Sequence, residues 1–315
     1  MKLAPIALFV YNRPNHTHQT LENLIKAPEF KDSVLYIFCD GAKTEEDVSA
    51  VQNTRKLIHS YDLKNTIIIE SENNKGLARS IVEGINYVLQ KHDKIIVLED
   101  DCVPTPDFLN FMNFCLSYYE SDERIMNVSG YASPIEIPED YPYDIYFSYR
   151  SSSWGWSTWK RAWAYYSNNP NILKMIESSS SIKKKLDRAG LDLYPMIKKQ
   201  TSGKSDSWAV YWSINIILKD GLCIFPVKSR IRNIGNDGSG THCSADKRYD
   251  VQINEQNTEQ MSIPKIVIPD GRIVKACYNF YAGSMFKKTL YFCYHRFSKF
   301  IDLDSIICLQ RLKLI

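Results

Sequence analysis

Lys94-Ile95-Ile96-Val97-Leu98-Glu99-Asp100-Asp101 begins as a β-branched apolar run and ends in three adjacent carboxylates. Such short, continuously apolar runs suit strands buried on both faces, as in a parallel sheet. Three more lie upstream: Pro5 to Tyr11, Val34 to Cys39 and Thr66 to Glu70. Segments of helical spacing separate them, around Thr20 to Ile25, Val48 to Ile58 and Leu77 to Leu89, the last with Leu77, Ile81, Ile85 and Val88 on one stripe. This βαβαβαβ alternation predicts an α/β fold with a doubly wound, mostly parallel sheet. Right-handed crossovers then place a ligand crevice at the carboxyl ends of the strands.

The residues after each strand fit that expectation: Asn12-Arg13-Pro14, Asp40-Gly41, Glu72-Asn73-Asn74-Lys75-Gly76 and Glu99-Asp100-Asp101. Polar strand-to-helix loops are general, and that alone accounts for the first three. It accounts poorly for the fourth, because adjacent carboxylates at the end of a buried strand repel one another and resist desolvation. A hard divalent cation resolves the conflict, since Mg²⁺ or Mn²⁺ typically takes one or two carboxylates together with substrate phosphate oxygens. The alternative is a solvated acidic turn capping a helix that begins near Asp107.

Composition excludes several classes. A chain of 315 residues with 44% hydrophobic and 24% charged residues is an ordinary globular protein, neither disordered nor fibrous. Lys and Arg exceed Asp and Glu by 39 to 36, too little for a surface that coats nucleic acid. Eight cysteines, Cys39, Cys102, Cys115, Cys223, Cys243, Cys277, Cys293 and Cys308, show no CxxC or zinc-like spacing and read as reduced, mostly buried thiols. The opening MKLAPIALFVYNRP meets Asn12 and Arg13 before a signal-peptide core forms, and no run approaches the roughly 20 apolar residues that span a bilayer. A cytoplasmic protein is expected, unless a surface tether holds it to the inner face of a membrane.

The segment LEDDCVPTPDFLNFM, 98–112, resembles the DxD-type motif region of GT-A fold glycosyltransferases, in particular the EDD variant of N-acetylglucosaminyltransferase I. FVYNRP, FCDGAK, NNKGLARSIVEGI and SSSWGWSTWKRAW are similar, in order, to the pattern of family 2 glycosyltransferases, including bacterial enzymes that build surface polysaccharides. The resemblance covers roughly the first 245 residues and implies a GT-A, Rossmann-like domain. It implies metal-dependent transfer of a sugar, with inversion, from a nucleotide-diphosphate sugar to a saccharide or lipid-linked saccharide hydroxyl, with Mn²⁺ or Mg²⁺ as cofactor. Carried over residue by residue, Asp101 coordinates the metal, Glu99 faces the ribose or base, Asp100 lies between them and Asp40 contacts the nucleobase. Arg13 and Arg79 stand where the family places cations near the nucleotide, although both also read as ordinary surface arginines, and Gly76 frees the backbone to turn. EDD in place of a plain DxD leaves open which acid meets the ribose and whether Asp100 shares the metal.

All six tryptophans, Trp154, Trp156, Trp159, Trp163, Trp208 and Trp212, fall within 59 residues. Indole faces stack on sugar rings, so an acceptor site accounts for the clustering, as does an aromatic mini-core. The i,i+4 pairs Trp159/Trp163 and Trp208/Trp212 favour the core for Trp163 and Trp212. Trp154 and Trp156, flanking Gly155 in a Ser-rich loop, are the expected acceptor contacts. In TSGKSDSWAVYWSINIIL, Asp206 precedes an apolar helix where family 2 enzymes carry the base that takes the acceptor proton. Ser205 or Asp206 serving as the helix N-cap is the equal alternative. The Gly-rich segment from Asn233 to Cys243 carries His242, which the resemblance makes a second metal ligand, with Asp237 a weaker candidate.

Two parts are expected: a glycosyltransferase domain over 1–265, with nucleotide-sugar binding in 1–130 and acceptor binding in 131–265, and a basic, aromatic helical tail over 266–315. The tail holds eight Lys and Arg against three acids, a net +5, with nine aromatics. That composition suits a helix lying on an anionic leaflet, or one docked on the domain or in a homodimer interface. Two rival functions remain. A nucleotidyltransferase would show a Gly-rich phosphate loop after the first strand, which Asn12-Arg13-Pro14-Asn15 is not. A catalytically silent carbohydrate-binding protein explains the tryptophans but leaves the acidic cluster unexplained.

Overall fold

The computed structural model describes residues 2–235, 247–249, 251–254 and 261–282. His242, Asp237 and the tail from 283 onward lie outside the described residues.

Four strands and their helices alternate as expected. They are β1 (Ile6–Val10), α1 (Pro14–Ile25), β2 (Leu35–Cys39), α2 (Glu45–Ser60), β3 (Thr66–Glu70), α3 (Leu77–Leu89) and β4 (Lys94–Glu99). β5 (Cys102–Pro104), α4 (Phe108–Tyr118), β6 (Ile125–Ser129), β7 (Ile145–Ser148), β8 (Trp156–Trp159) and α5 (Lys160–Trp163) follow. The remainder comprises α6 (Ile172–Ser178), α7 (Ser180–Ala189), α8 (Leu193–Thr201), α9 (Trp208–Leu218), β9 (Leu222–Pro226), β10 (Ile231–Asn233) and α10 (Gly271–Ala282).

One eight-stranded sheet runs in the order β3-β2-β1-β4-β8-β6-β9-β7. The ladders from β3 to β4 are parallel, as is β6 with β9, while β8 is antiparallel to both its neighbours and β7 to β9. Only β7 and β8 are therefore reversed. The carboxyl ends of the other six strands meet at one edge, and the chain enters β8 from that edge through Trp154 and Gly155. The sheet is mostly parallel, as expected, with both reversed strands in its second half; β3, expected to be buried on both faces, is instead the sheet's edge, and Ile67 is exposed.

Alternation along β1 separates two cores. Ile6, Leu8 and Val10 pack with Leu21 and Leu24 of α1 and Phe108, Phe111 and Met112 of α4. Ala7 and Phe9 face Ile81, Ile85 and Val88 of α3, Trp208, Trp212 and Ile216 of α9, and Ile273 and Cys277 of α10. Burying both faces makes the strands read as unbroken apolar runs. A third cluster joins α6, α7, α8 and α9 through Ile176, Leu186, Ile197 and Ile214.

The boundary expected at residue 265 does not coincide with a break in packing, because α10 fills the second core. Tyr281 bonds Ser133 Oγ at 2.9 Å, and the Arg150 guanidinium lies 4.0 Å from its ring centroid. The beginning of the tail is thus docked on the domain.

Candidate functional site

Glu99 closes β4 beside Phe9 of β1, and Asp100 and Asp101 turn the chain into β5. β5 pairs antiparallel with β10, setting Asn233 opposite Cys102. A buried ion pair fixes this small ladder: Arg230 Nε donates to Asp107 Oδ2 at 3.1 Å, with side-chain exposures of 3% and 2%. Asn254 Nδ2 and Thr105 Oγ1 donate to the same carboxylate at 2.7 and 2.6 Å. Asp107 stands at the N-cap of α4 but makes no capping bond, its oxygens being taken by these partners. The acidic turn therefore does not serve as a helix cap.

The cluster already has one internal cation. Arg13, at the N-cap of α1, puts Nη2 against Asp100 Oδ1 and, at 2.9 Å, against Asp101 Oδ2, while its Nε reaches Asp100 Oδ2 at 3.3 Å. Thr20 Oγ1 holds the Asp100 carbonyl at 2.7 Å. Burial, followed by the charges of Asp101 and Asp100, pushes Glu99 up to about 8. Burial also pushes Asp100 up to about 6 against the pull of Arg13. Although burial works against the guanidinium, Asp100 and Asp101 raise Arg13 well above its usual value. Burial is the larger cause for both raised acids, and repulsion from neighbouring carboxylates adds to it.

Hard oxygen donors in surplus negative charge fit Mg²⁺ or Mn²⁺. Among the described residues no group of three or more His, Cys, Asp or Glu side chains is placed to hold a metal ion by itself. A nucleotide-bound metal does not need one, because phosphate oxygens and water complete its shell. Asp101, with 13% side-chain exposure against 5% for Asp100, is the more reachable carboxylate.

Asn233 and Gly235 were not singled out individually in the sequence, yet both touch this acid. Asn233 Nδ2 lies 3.3 Å from Asp101 Oδ1, and the Ile234 amide donates to the Asp101 carbonyl at 2.9 Å. A Cβ on Gly235 would collide with Asp101 Oδ2 and come within 3.2 Å of Arg13 Nη1. The Gly-rich segment expected to carry His242 thus starts against the acidic cluster, although His242 itself lies outside the described residues.

Asp40 is buried, and its oxygens serve the protein itself. They accept the amides of Gly41 at 2.9 Å, Lys75 at 2.9 Å and Gly76 at 3.1 Å, and the Asn74 side chain at 3.2 Å. The carboxylate expected to meet a nucleobase instead ties the loop after β2 to the loop after β3. Gly76 ends that loop at φ +76°, as a turn into α3 requires, and its absent Cβ would lie 3.4 Å from Asp206 Oδ2. Asp206 is exposed, and the N-cap of α9 is Ser207, without a side-chain cap bond. The capping alternative for Asp206 therefore falls, and the geometry sets its carboxylate against the loop after β3. Arg79 is separate from this group: its side chain is 70% exposed and bonds Glu83 at 2.6 Å.

The two expected acceptor tryptophans part company. Trp156 is 0% exposed, stacked on Trp208 at 5.0 Å and flanked by Trp163 and Trp212 at 5.8 and 6.3 Å. No face is left for a sugar, so Trp156 is corrected to the aromatic core. Trp154 is half-buried, packed edge-on against Tyr131 at 4.6 Å and Tyr249 at 5.5 Å. Gly155 beside it lies against Leu98 and Ile231, which brings Trp154 to the edge where β4 ends.

Residues 6–122 match the family model for glycosyl transferase family 2. The matched stretch runs from β1 to just past α4 and contains Arg13, Asp40, Gly76, Arg79 and the Glu99 to Asp101 turn. It supports the enzyme class expected from the sequence, a glycosyltransferase. Three solved structures are similar at low identity. The mannosyltransferase PcManGT from Pyrobaculum calidifontis, in complex with GDP-Man and Mn²⁺, matches at 15% identity over 49% of this chain and 44% of its own, with a TM-score of 0.32. S. aureus TarS 1-349 matches at 12% identity over 73% and 60%, with a TM-score of 0.43. GalNAc-T7 with UDP, GalNAc and Mn²⁺ matches at 10% identity over 71% and 42%, with a TM-score of 0.45. The chain spans between 42% and 60% of these three proteins. All three likenesses are distant, so the site stands on its own residues.

Proposed function

We propose that the protein transfers a sugar, with inversion, from a nucleotide-diphosphate donor to a hydroxyl of a saccharide or lipid-linked saccharide, in surface polysaccharide or glycan synthesis at the cytoplasmic side of a membrane. The observation that carries this reading is the Glu99-Asp100-Asp101 turn at the carboxyl end of β4, inside the segment that matches the family. Asp101, joined by His242, would hold Mn²⁺ or Mg²⁺, which supplies electrostatic stabilisation for the departing diphosphate. Glu99, Asp100 and Arg13 line the diphosphate and ribose side. Asp40 and Gly76 shape the loop against which the nucleotide lies, and Arg79 adds positive charge at its margin. Asp206, uncapped and beside Gly76, accepts the proton of the attacking hydroxyl. Trp154 offers an indole face to the acceptor.

Incubation with a panel of nucleotide sugars and Mn²⁺, with and without a chelator, tests the reading. Release of nucleoside diphosphate from one donor, abolished by chelator, is expected. No release from any donor, together with no thermal stabilisation by any of them, overturns it.

A further inference from the structure

We infer that Arg13 is an exchangeable internal counter-ion: it occupies the acidic cluster in the empty protein and moves to the donor diphosphate when a divalent cation arrives. The inference rests on the proposed metal-dependent reading and adds an order to it, in which metal and diphosphate bind together or barely at all.

Three observations carry it. Arg13 Nη2 bridges both aspartates, lying on Asp101 Oδ2 at 2.9 Å, the oxygen of the more accessible acid. The other oxygen of Asp101 is engaged by Asn233 Nδ2 at 3.3 Å, so a cation entering at Asp101 shares an oxygen with one of these partners, and the positively charged one, Arg13, repels it. Arg13 Nη1 is buried and, among the described residues, has no hydrogen-bond partner, a donor left over on the same guanidinium. A planar fork with one spare N–H beside a phosphate-leaving reaction is suited to take a phosphoryl oxygen once its carboxylates are neutralised by metal.

The backbone allows the exchange without refolding. Arg13 sits at the N-cap of α1, where Pro14 opens the helix and Thr17 bonds the Arg13 carbonyl through both its amide and its hydroxyl, at 3.0 and 2.9 Å. The main chain is anchored, while the side chain is 19% exposed. Rotation about its side-chain bonds is enough to carry the guanidinium from one anion to another.

Titration of Mn²⁺ into the purified full chain, followed by the electron paramagnetic resonance of the free ion, reads the effect without any turnover. For the wild type, Mn²⁺ alone should bind weakly, and saturating pyrophosphate or UDP should tighten it by about tenfold or more, a reciprocal coupling of the two ligands. Arg13→Gln should bind Mn²⁺ alone about tenfold tighter than wild type, because its competitor is gone, and should lose most of the coupling. A gain in metal affinity is something that a merely structural arginine would not produce. Arg13→Lys keeps the charge without the bridging fork and should fall between, and it replaces Arg13→Gln in the comparison should that variant fail to fold. Equal Mn²⁺ affinity in wild type and the folded variants overturns the inference while leaving the metal-dependent reading intact. Absence of Mn²⁺ binding in every protein, with and without the diphosphate, overturns both.

Discussion

Asp101 and Trp156 mark the two ends of what single residues can disclose. A carboxylate after a buried strand is legible because its cost is local: three adjacent acids need a cation wherever the chain goes. Asp101→Asn should reduce chelator-sensitive donor cleavage by at least about a hundredfold while leaving the melting temperature within a few degrees, since it keeps the shape and only removes charge. A loss of turnover no larger than that of an exposed control such as Lys184→Gln would argue against it. The tryptophans were less legible, because Trp154 and Trp156 flank one glycine and differ in that Trp156 begins β8 whereas Trp154 lies in the loop before it. Where that strand begins is set by pairing with β4 and β6, elements distant in sequence. Trp156→Ala should therefore cost about 3–5 kcal/mol of stability, the range for emptying a packed aromatic site. Trp154→Ala, half-buried, should cost less and raise the acceptor KM instead; denaturant melts and acceptor titrations separate the two.

Elements with continuous apolar runs were read with nearly correct limits, since a strand buried on both faces leaves a signal in every residue. The helix Leu77–Leu89 coincides with its expected span, whereas α1 starts at Pro14, earlier than its apolar stripe suggests. The short β5/β10 ladder left no such signal: three residues on each side, joined through Arg230 and Asp107, are a contact across 123 positions. Removing one partner of a buried pair strands the other charge, so Asp107→Ala should cost about 3–5 kcal/mol. Asp107→Leu combined with Arg230→Met should cost less than the two single changes added together, and a double-mutant cycle from urea melts would show this coupling. Chain ends of elements also titrate. Burial, then Lys2 and Lys91, holds His92 below its usual value where Tyr36 bonds its ring at 3.0 Å. The unfolded histidine takes its proton first as pH falls, so the folded state loses stability on going below about pH 6.5. His92→Gln should flatten the fall in urea midpoint between about pH 7 and about pH 5; an unchanged slope would assign that fall to other groups.

On the scale of the whole molecule, the near-neutral total charge conceals a division that packing partly resolves. Residues 266–282 belong to the domain: Ile273 is fully buried, Cys277 is nearly so, Tyr281 meets Arg150 and Ser133, and Arg272 bonds Asp140 at 2.6 Å. Among the described residues no helix is long and apolar enough to cross a membrane. The remaining charge lies further along the sequence, where Lys287, Lys288, Arg296, Lys299, Arg311 and Lys313 outnumber Asp302 and Asp304, a net +4. Two truncations then have different expected outcomes. Ending the chain after residue 282 removes that charge and none of the described core, so the melting temperature should hold while any sedimentation with anionic vesicles is lost, because each basic residue near such a surface contributes roughly 1 kcal/mol. Ending it after residue 265 also strips α10 from the second core, exposing the partners of Ile273 and Cys277, and should lower stability by roughly 2–5 kcal/mol. Equal stability of the two truncated chains would mean that α10 is dispensable to the core. Unchanged vesicle sedimentation after the shorter truncation would move any membrane contact to the domain itself.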